Sequence, residues 1–359
     1  MKVLLKGNQA VAEAAVRAGC RFYAGYPITP QTEIPEYLSS RLPEVGGTFI
    51  QGESEVASVN MVYGAAAMGV RAMTSSSGPG MSLKAEGISY LAGAKLPALI
   101  VYVTRGGPGL GSIQPAQSDY LHATKALGHG GFRTLVFAPA GVQEAADLAY
   151  AAFDYAERDR LPVVLLMDGC LGALLEQAEL PPMLAPPAPT AQKWSLARGE
   201  GEVRAHRVIT PILPELILEN ENKRRGKLAK AWEENDARAE EFLLDDAEYV
   251  AVAYGIAARL AKEAIVKLRA EGHKIGLLRP ITLFPFPKKK FACLDCKRVK
   301  GIIDIEMTIP AQMRDDIELA TRGQIPIFEY GRSGGILLDD ESVYNAMLQF
   351  IKDCGGENA

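Results

Sequence analysis

Short apolar runs rich in β-branched residues alternate with longer runs of small residues along the first half of the chain, a rhythm of repeated strand–helix–strand units. Strands are expected at 21–24, 48–51, 71–74, 98–104, 134–137 and 163–168. Their nearly unbroken apolar character suits a parallel sheet covered by helices on both faces. The small-residue run that ends at Ala67 reads as a buried helix. A further helix is expected to begin at Pro30, with Thr29 as its N-cap, since proline is well tolerated at a first helical position. Another is expected over 142–155.

The rhythm breaks at PPMLAPPAPT, residues 181–190, which is too rich in proline for a helix or a central strand and reads as a semi-rigid connector. Beyond it, Trp232, Ala239 and Phe242 recur at helical spacing within the charged stretch 227–245, which predicts a surface helix. A second strand–helix rhythm begins with EYVAVAYG at Glu248, continues through a helix over 256–269 and the strands KIGLL, GIIDIEM and PIFEYG, and is long enough for a small α/β domain. The expected division is 1–180, a connector over 181–247, and 248–359.

Composition narrows the classes. With 359 residues, 48% of them hydrophobic, the chain can bury a substantial core as a soluble globular protein. Its 39 Lys and Arg against 43 Asp and Glu, a net charge of −4, exclude a global positive field that would gather nucleic acid. The amino terminus is interrupted by Lys6, Asn8, Gln9 and Glu13, unlike a signal peptide, and no run reaches the roughly 18 apolar residues of a membrane span. Cytoplasmic residence and no membrane association are expected. Five cysteines (20, 170, 293, 296 and 354) do not suggest a disulfide scaffold. Cys293 and Cys296 form a lone C-x2-C without the further ligands of a zinc site, and read as reduced thiols in a helix.

Candidate chemistry sits where strands end. GESEVASVN, residues 52–60, places Glu53 and Glu55 between a short strand and a helix, the position at which an open α/β sheet binds ligands. A carboxylate buried there needs a partner that donates a proton or carries positive charge. The loop Tyr26-Pro27-Ile28-Thr29-Pro30 follows the first strong strand, and Thr29 reads either as a simple cap or as a group that meets a carboxylate or phosphate. Thr74-Ser75-Ser76-Ser77-Gly78 offers consecutive hydroxyls at another strand end, matching neither a Walker motif nor a dinucleotide fingerprint. Arg105, after the next strand, suits bidentate grip of a carboxylate, or a salt bridge to an acid such as Asp119. His122 and His129 lack metal-ligand spacing; His129, in the flexible ALGHGG, reads as a positioned proton carrier or as a substrate hydrogen-bond donor. His206 and His273 read as surface residues, and no nucleophilic triad is present. A crevice with a carboxylate, hydroxyls and an arginine, but no nucleophile or phosphate-and-metal site, fits half of a shared active site.

These residues carry a resemblance. GNQAVAEAAVRAGCRFYAGYPITPQTEIPEYL, QGESEVASVNMVYGAAAMG, MTSSSGPGMSLKAEGISYL and TRGGPGLGSIQPAQSDYLHATKALGHGG resemble the alpha subunit of 2-oxoacid:ferredoxin oxidoreductases, and similarity extends through DDAEYVAVAYG. The QPAQSDY and GHGG wording is most similar to the branched-chain, ketoisovalerate type, with the 2-oxoglutarate and pyruvate types and a non-catalytic scaffold subunit as alternatives.

The resemblance implies a thiamine-diphosphate-binding α/β fold whose first domain holds the pyrimidine, followed by a transketolase-C-terminal-like domain. It implies Glu55 as the activating carboxylate on the pyrimidine ring nitrogen N1′; Thr29, Arg105 and His129 as substrate-binding groups; and Tyr26, Pro27, Ile28, Ser75, Ser76 and Ser77 beside the cofactor. Mg2+ and the cofactor's diphosphate would sit on a beta subunit, [4Fe-4S] clusters on a ferredoxin-like subunit, and coenzyme A would be the acyl acceptor. A gamma subunit, a dimer of heteromers and ferredoxin as electron carrier complete the implied assembly.

Overall fold

The computed structural model describes residues 2–201 and 213–355; His206 lies outside them. The chain runs β1 (Lys2–Lys6), α1 (Gly7–Arg17), β2 (Phe22–Gly25), α2 (Glu33–Glu44), β3 (Thr48–Gln51), α3 (Glu55–Ala67), β4 (Ala72–Ser76), α4 (Gly78–Ala94), β5 (Ala98–Gly106), β6 (Ser112–Pro115), α5 (Tyr120–Lys125), β7 (Leu135–Phe137), α6 (Val142–Asp159), β8 (Pro162–Asp168), α7 (Gly169–Ala173) and β9 (Leu175–Glu179). After the proline-rich segment come α8 (Glu215–Asn235), β10 (Ala239–Phe242), β11 (Tyr249–Val252), α9 (Gly255–Ala270), β12 (Ile275–Pro280), β13 (Thr282–Phe284), α10 (Lys288–Ala292), β14 (Gly301–Glu306), α11 (Arg314–Thr321), β15 (Ile327–Gly331) and α12 (Asp340–Gly355).

Two sheets carry the fold. The larger has the order β13-β7-β8-β5-β4-β2-β3, with β6 folded back on β5. Its strands from β7 to β3 run parallel, as continuous apolar runs with helical crossovers demand. Because β3 lies on one side of β2 and β4 on the other, the connections leaving these strands part and open a crevice at their carboxyl ends. Helices α1, α2 and α6 bury Val11, Leu38 and Phe153 on one face of this sheet. On the other face α3 and α4 bury Val59, Val62, Ile88 and Leu91. Gly87 lets these two helices close up, since a Cβ there would stand 2.3 Å from Val59.

The smaller sheet, β10-β12-β11-β14-β15, is parallel except at β10. Val250, Leu278, Ile302 and Ile317 join the same core as α3 and α4, while α9 and α12 cover the other face. The two halves are also stitched by hydrogen bonds, because β13 leaves the smaller sheet to pair antiparallel with β7 at the edge of the larger.

Three local expectations need correction. The helix foreseen from Pro30 begins at Glu33, and Thr29 is not its cap: residues 28–31 form a turn closed by Gln31 N–H on the Ile28 carbonyl, 3.1 Å. The helix foreseen over 227–245 is α8, which ends at Asn235; Ala239 and Phe242 belong to the edge strand β10. Spacing of three is shared by a helix turn and by neighbours that happen to fall on a strand, and Asp236, gripped by Arg158 at 2.8 Å, closes the helix first. Cys293 and Cys296 are free and exposed just beyond the five-residue α10, not within a helix. Among the described residues no helix is long and apolar enough to cross a membrane.

Candidate active site

Residues 48–51 pair with β2 and stop at Gly52, whose missing side chain leaves room for the Ser58 hydroxyl. Ser54 then caps α3, its hydroxyl accepting from Ala57 N–H at 3.1 Å. Glu55, the first residue of α3, points inward and is 6% exposed, whereas Glu53 is exposed. The helix N-terminus favours a carboxylate in its first turn. Gly80, in the first turn of α4, makes the carboxylate's niche: a Cβ there would lie 2.5 Å from Glu55 Oε1 and 2.4 Å from Ser76 Oγ. Among the described residues Glu55 has no hydrogen-bond partner, although the Lys84 ammonium acts on it electrostatically.

β4 divides its hydroxyls by the two-residue period of a strand. Ser75, on one side, is consumed internally by Gln31 and by Tyr23, whose hydroxyl is 2.8 Å away. Thr74 and Ser76 face α3 and α4. Thr74 donates to the Ala24 carbonyl at 2.7 Å and accepts from Lys84 Nζ at 2.5 Å. Among the described residues Ser76 Oγ and Ser77 Oγ are buried and unpartnered. Burial lowers the Lys84 ammonium to about 7, with Glu55 pulling in the opposite direction.

Arg105, near the carboxyl end of β5, is 5% exposed. It forms no ion pair with Asp119 among the described residues; its fork donates instead to the carbonyls of Thr29 at 3.0 Å and Leu110 at 2.9 Å. That pins the guanidinium between two loops while its Nε stays buried and, among the described residues, unpartnered. A groove of about 530 Å³ opens beside it, walled by Pro79, Pro108, Asp119, His122, Ile309 and Gln312. Asp119 is pushed up to about 6 by burial, against the pull of Tyr102 and Arg105. His122, hydrogen-bonded to Tyr102 at 3.1 Å, is lowered by burial.

The fold thus gathers Thr29, Ser76, Ser77, Glu55 and Arg105 around the carboxyl ends of β2 to β5. Tyr26 and Pro27 are exposed on the same rim and Ile28 is half-buried. His129 is not among them. It precedes β7 and so lies toward the amino ends of the parallel strands, in a separate groove with Tyr90, Asn222 and Arg225. Lys84 and Asp119 were not foreseen as site residues. Only the recurrence of Gly80 and Lys84 one helical turn apart hinted that both face the same strand.

The buried orphan hydroxyls and the glycine-made niche around one carboxylate leave hydrogen-bonding capacity unspent at the crevice, a chemistry that fits a thiamine pyrimidine. Among the described residues no three His, Cys, Asp or Glu side chains converge as a metal site.

The class this fold defines is the thiamine-diphosphate-binding α/β type with a second, transketolase-C-terminal-like domain. Residues 13–210 match the family described as pyruvate flavodoxin/ferredoxin oxidoreductase, thiamine diphosphate-binding, and residues 247–343 match the core domain II of pyruvate:ferredoxin oxidoreductase. The chain is 46% identical to ketoisovalerate oxidoreductase subunit VorB of Methanothermobacter marburgensis over 99% of this chain and 98% of that one. It is 32% identical to 2-oxoglutarate synthase subunit KorA of Methanocaldococcus jannaschii over 97% of this chain and all (100%) of that one. The fold is that of 2-oxoglutarate:ferredoxin oxidoreductase from Magnetococcus marinus, with a TM-score of 0.82 at 24% identity over 98% of this chain and 65% of that chain. A split-gene transketolase matches with a TM-score of 0.59 at 16% identity over 96% of this chain and 97% of that one. The chain belongs to the 2-oxoacid:ferredoxin oxidoreductase family, as a thiamine-diphosphate-dependent alpha subunit that works with partner subunits in the oxidative decarboxylation of a 2-oxoacid with reduction of ferredoxin.

Proposed function

We propose that this alpha subunit serves a branched-chain 2-oxoacid oxidoreductase acting on 2-oxoisovalerate and related substrates, and that Glu55 is its activating carboxylate. The observation that carries the second part is the buried Glu55 carboxylate, free of hydrogen-bond partners among the described residues and held at the crevice by the first turn of α3. When bound, thiamine diphosphate supplies the nucleophilic carbon that attacks the 2-oxoacid carbonyl and lets carbon dioxide leave. Glu55 would hold the proton at the pyrimidine N1′, with the unspent hydroxyls of Ser76 and Ser77 and the rim of Tyr26, Pro27 and Ile28 around it. Ser75 supports from behind, its hydroxyl already engaged.

Arg105 would take the substrate carboxylate through its free Nε, steadied by its bond to the Thr29 carbonyl. The groove beside it has Arg105 as its only lysine or arginine among the described residues, with Pro79, Pro108 and Ile309 as apolar wall. A dicarboxylic substrate would need a second cation, so this lining supports a monocarboxylic one, as does the similarity to ketoisovalerate oxidoreductase subunits. The diphosphate, Mg2+ and [4Fe-4S] clusters are assigned to partner subunits, with coenzyme A as co-substrate. Exposed Val56, Leu83, Leu110 and Ile113 around the crevice support a docked partner.

The test is Glu55→Gln in the assembled enzyme: subunit association should persist while hydrogen–deuterium exchange at the thiazolium C2 falls about 10²–10⁴-fold. Unchanged exchange would sink the role. Arg105→Ala should raise KM for the 2-oxoacid with little effect on C2 exchange, as should Thr29→Ala by removing the hydroxyl proposed to meet the substrate carboxylate while keeping the carbonyl that steadies Arg105; 2-oxoisovalerate should be used in preference to 2-oxoglutarate and pyruvate.

A further inference from the structure

Lys84 is fully buried in α4, one turn beyond Gly80 and on the same face. Lysine is almost never buried without an opposite charge. Among the described residues its ammonium has a single hydrogen-bond partner, Thr74 Oγ1 at 2.5 Å, so two of its three donors are unspent there. The opposing charge is Glu55, reaching the same pocket from α3 where the bare Gly80 lets the carboxylate approach α4 and β4. Among the described residues the two make no direct hydrogen bond or ion pair, so each acts on the other through space, from the strand-facing side of neighbouring helices.

Resting on the role given to Glu55 above, we propose that Lys84 is a positioning residue: a buried amine whose positive charge, when protonated, acts on the Glu55 carboxylate from the protein side and leaves its crevice-facing oxygen free. The arrangement is economical in one respect. A positive charge supplied from the protein side leaves the ligand-facing oxygen free, whereas an arginine or hydroxyl in front would occupy it. Glu55 is the charged group facing Lys84 from α3, and Thr74 is its neutral neighbour from β4.

The test follows the Lys84 ε-carbon by NMR in the 13C-lysine-labelled full-length chain without cofactor, with Lys84→Arg as the assignment control. A titration with midpoint near 7 in the native chain should move down by about one pH unit in Glu55→Gln, because the carboxylate favours the ammonium. In the assembled enzyme, Lys84→Met should move the acid limb of C2 exchange upward by about one pH unit, and Lys84→Arg should restore it. A Lys84 titration indifferent to Glu55→Gln, or identical pH profiles for Lys84→Met and the native enzyme, would overturn the proposal. Normal C2 exchange in Glu55→Gln with a coupled Lys84 titration upholds the charge pair and removes the cofactor role; lost exchange with an uncoupled Lys84 does the reverse.

Discussion

Glu53 and Glu55 are two residues apart, yet one faces water and the other a largely buried niche at the crevice, because α3 starts between them. The same contrast separates Ser75 from Ser76. Asp119 illustrates what a protein environment does to a single acid: burial raises it to about 6 from an ordinary 3.8. The folded state then binds its proton more tightly than the unfolded one, so this residue's contribution is full at low pH and is lost as pH rises through 4 to 6. Asp119→Asn lacks that loss. Its stability relative to the native chain should therefore improve between pH 4 and pH 7, by roughly 3 kcal/mol at most, measured by urea denaturation at both values. A difference that does not change with pH would show that Asp119 ionises without penalty.

At the scale of elements, the niche depends on how closely α4 approaches β4 and α3. Gly80 is where they meet, and Gly80→Ala would put a methyl 2.5 Å from the Glu55 carboxylate and 2.4 Å from the Ser76 hydroxyl. Something must move, at a cost of about 1–3 kcal/mol. Since the neighbours are the site itself, cofactor affinity should fall more than stability, and calorimetric titration of thiamine diphosphate alongside thermal unfolding separates the two. The strand β14 carries another constraint: Asp304 and Glu306 are fully buried side by side, and burial raises both, with the Glu306 charge pushing Asp304 up further and Glu329 doing the same to Glu306. Asp304→Asn should stabilise the chain at pH 8 while leaving it little changed at pH 4, a difference visible in its urea midpoint.

For the whole molecule, the two sheets are joined by a shared core, by β13 on β7, and by Arg279. This arginine, 5% exposed on β12, grips Glu144 of α6 at 2.9 Å and Glu240 of β10 at 2.6 Å. Removing one side of such a buried network leaves uncompensated charge and costs about 3–5 kcal/mol. Arg279→Met should lower stability by that order and loosen the halves, detected as faster hydrogen exchange in β7 and β13. Loss of stability without exchange at that seam would confine the effect to the smaller sheet.

The apolar runs and small-residue helices were readable because strand period and burial leave their mark on local composition: residues 48–51 and 163–168 are strands as expected, and 142–155 is helical. The acids at 53 and 55 were readable because a carboxylate at a strand end needs a reason, and the family resemblance singled out Glu55 of the two. What stayed hidden were relations between distant residues. A lysine in a helix reads as a solvated charge until tertiary packing turns Lys84 toward Thr74, ten residues away in sequence, and Glu55 on the neighbouring helix. His129 looked equal to Arg105 in its glycine-rich loop, and only the direction of parallel strands puts one at the amino edge and the other at the carboxyl edge. The sequence by itself determined the α/β alternation and the choice of chemical groups, since both follow from local patterns of burial. The tertiary structure decided which of those groups face one another, because charge and hydrogen bonding act through space rather than along the chain.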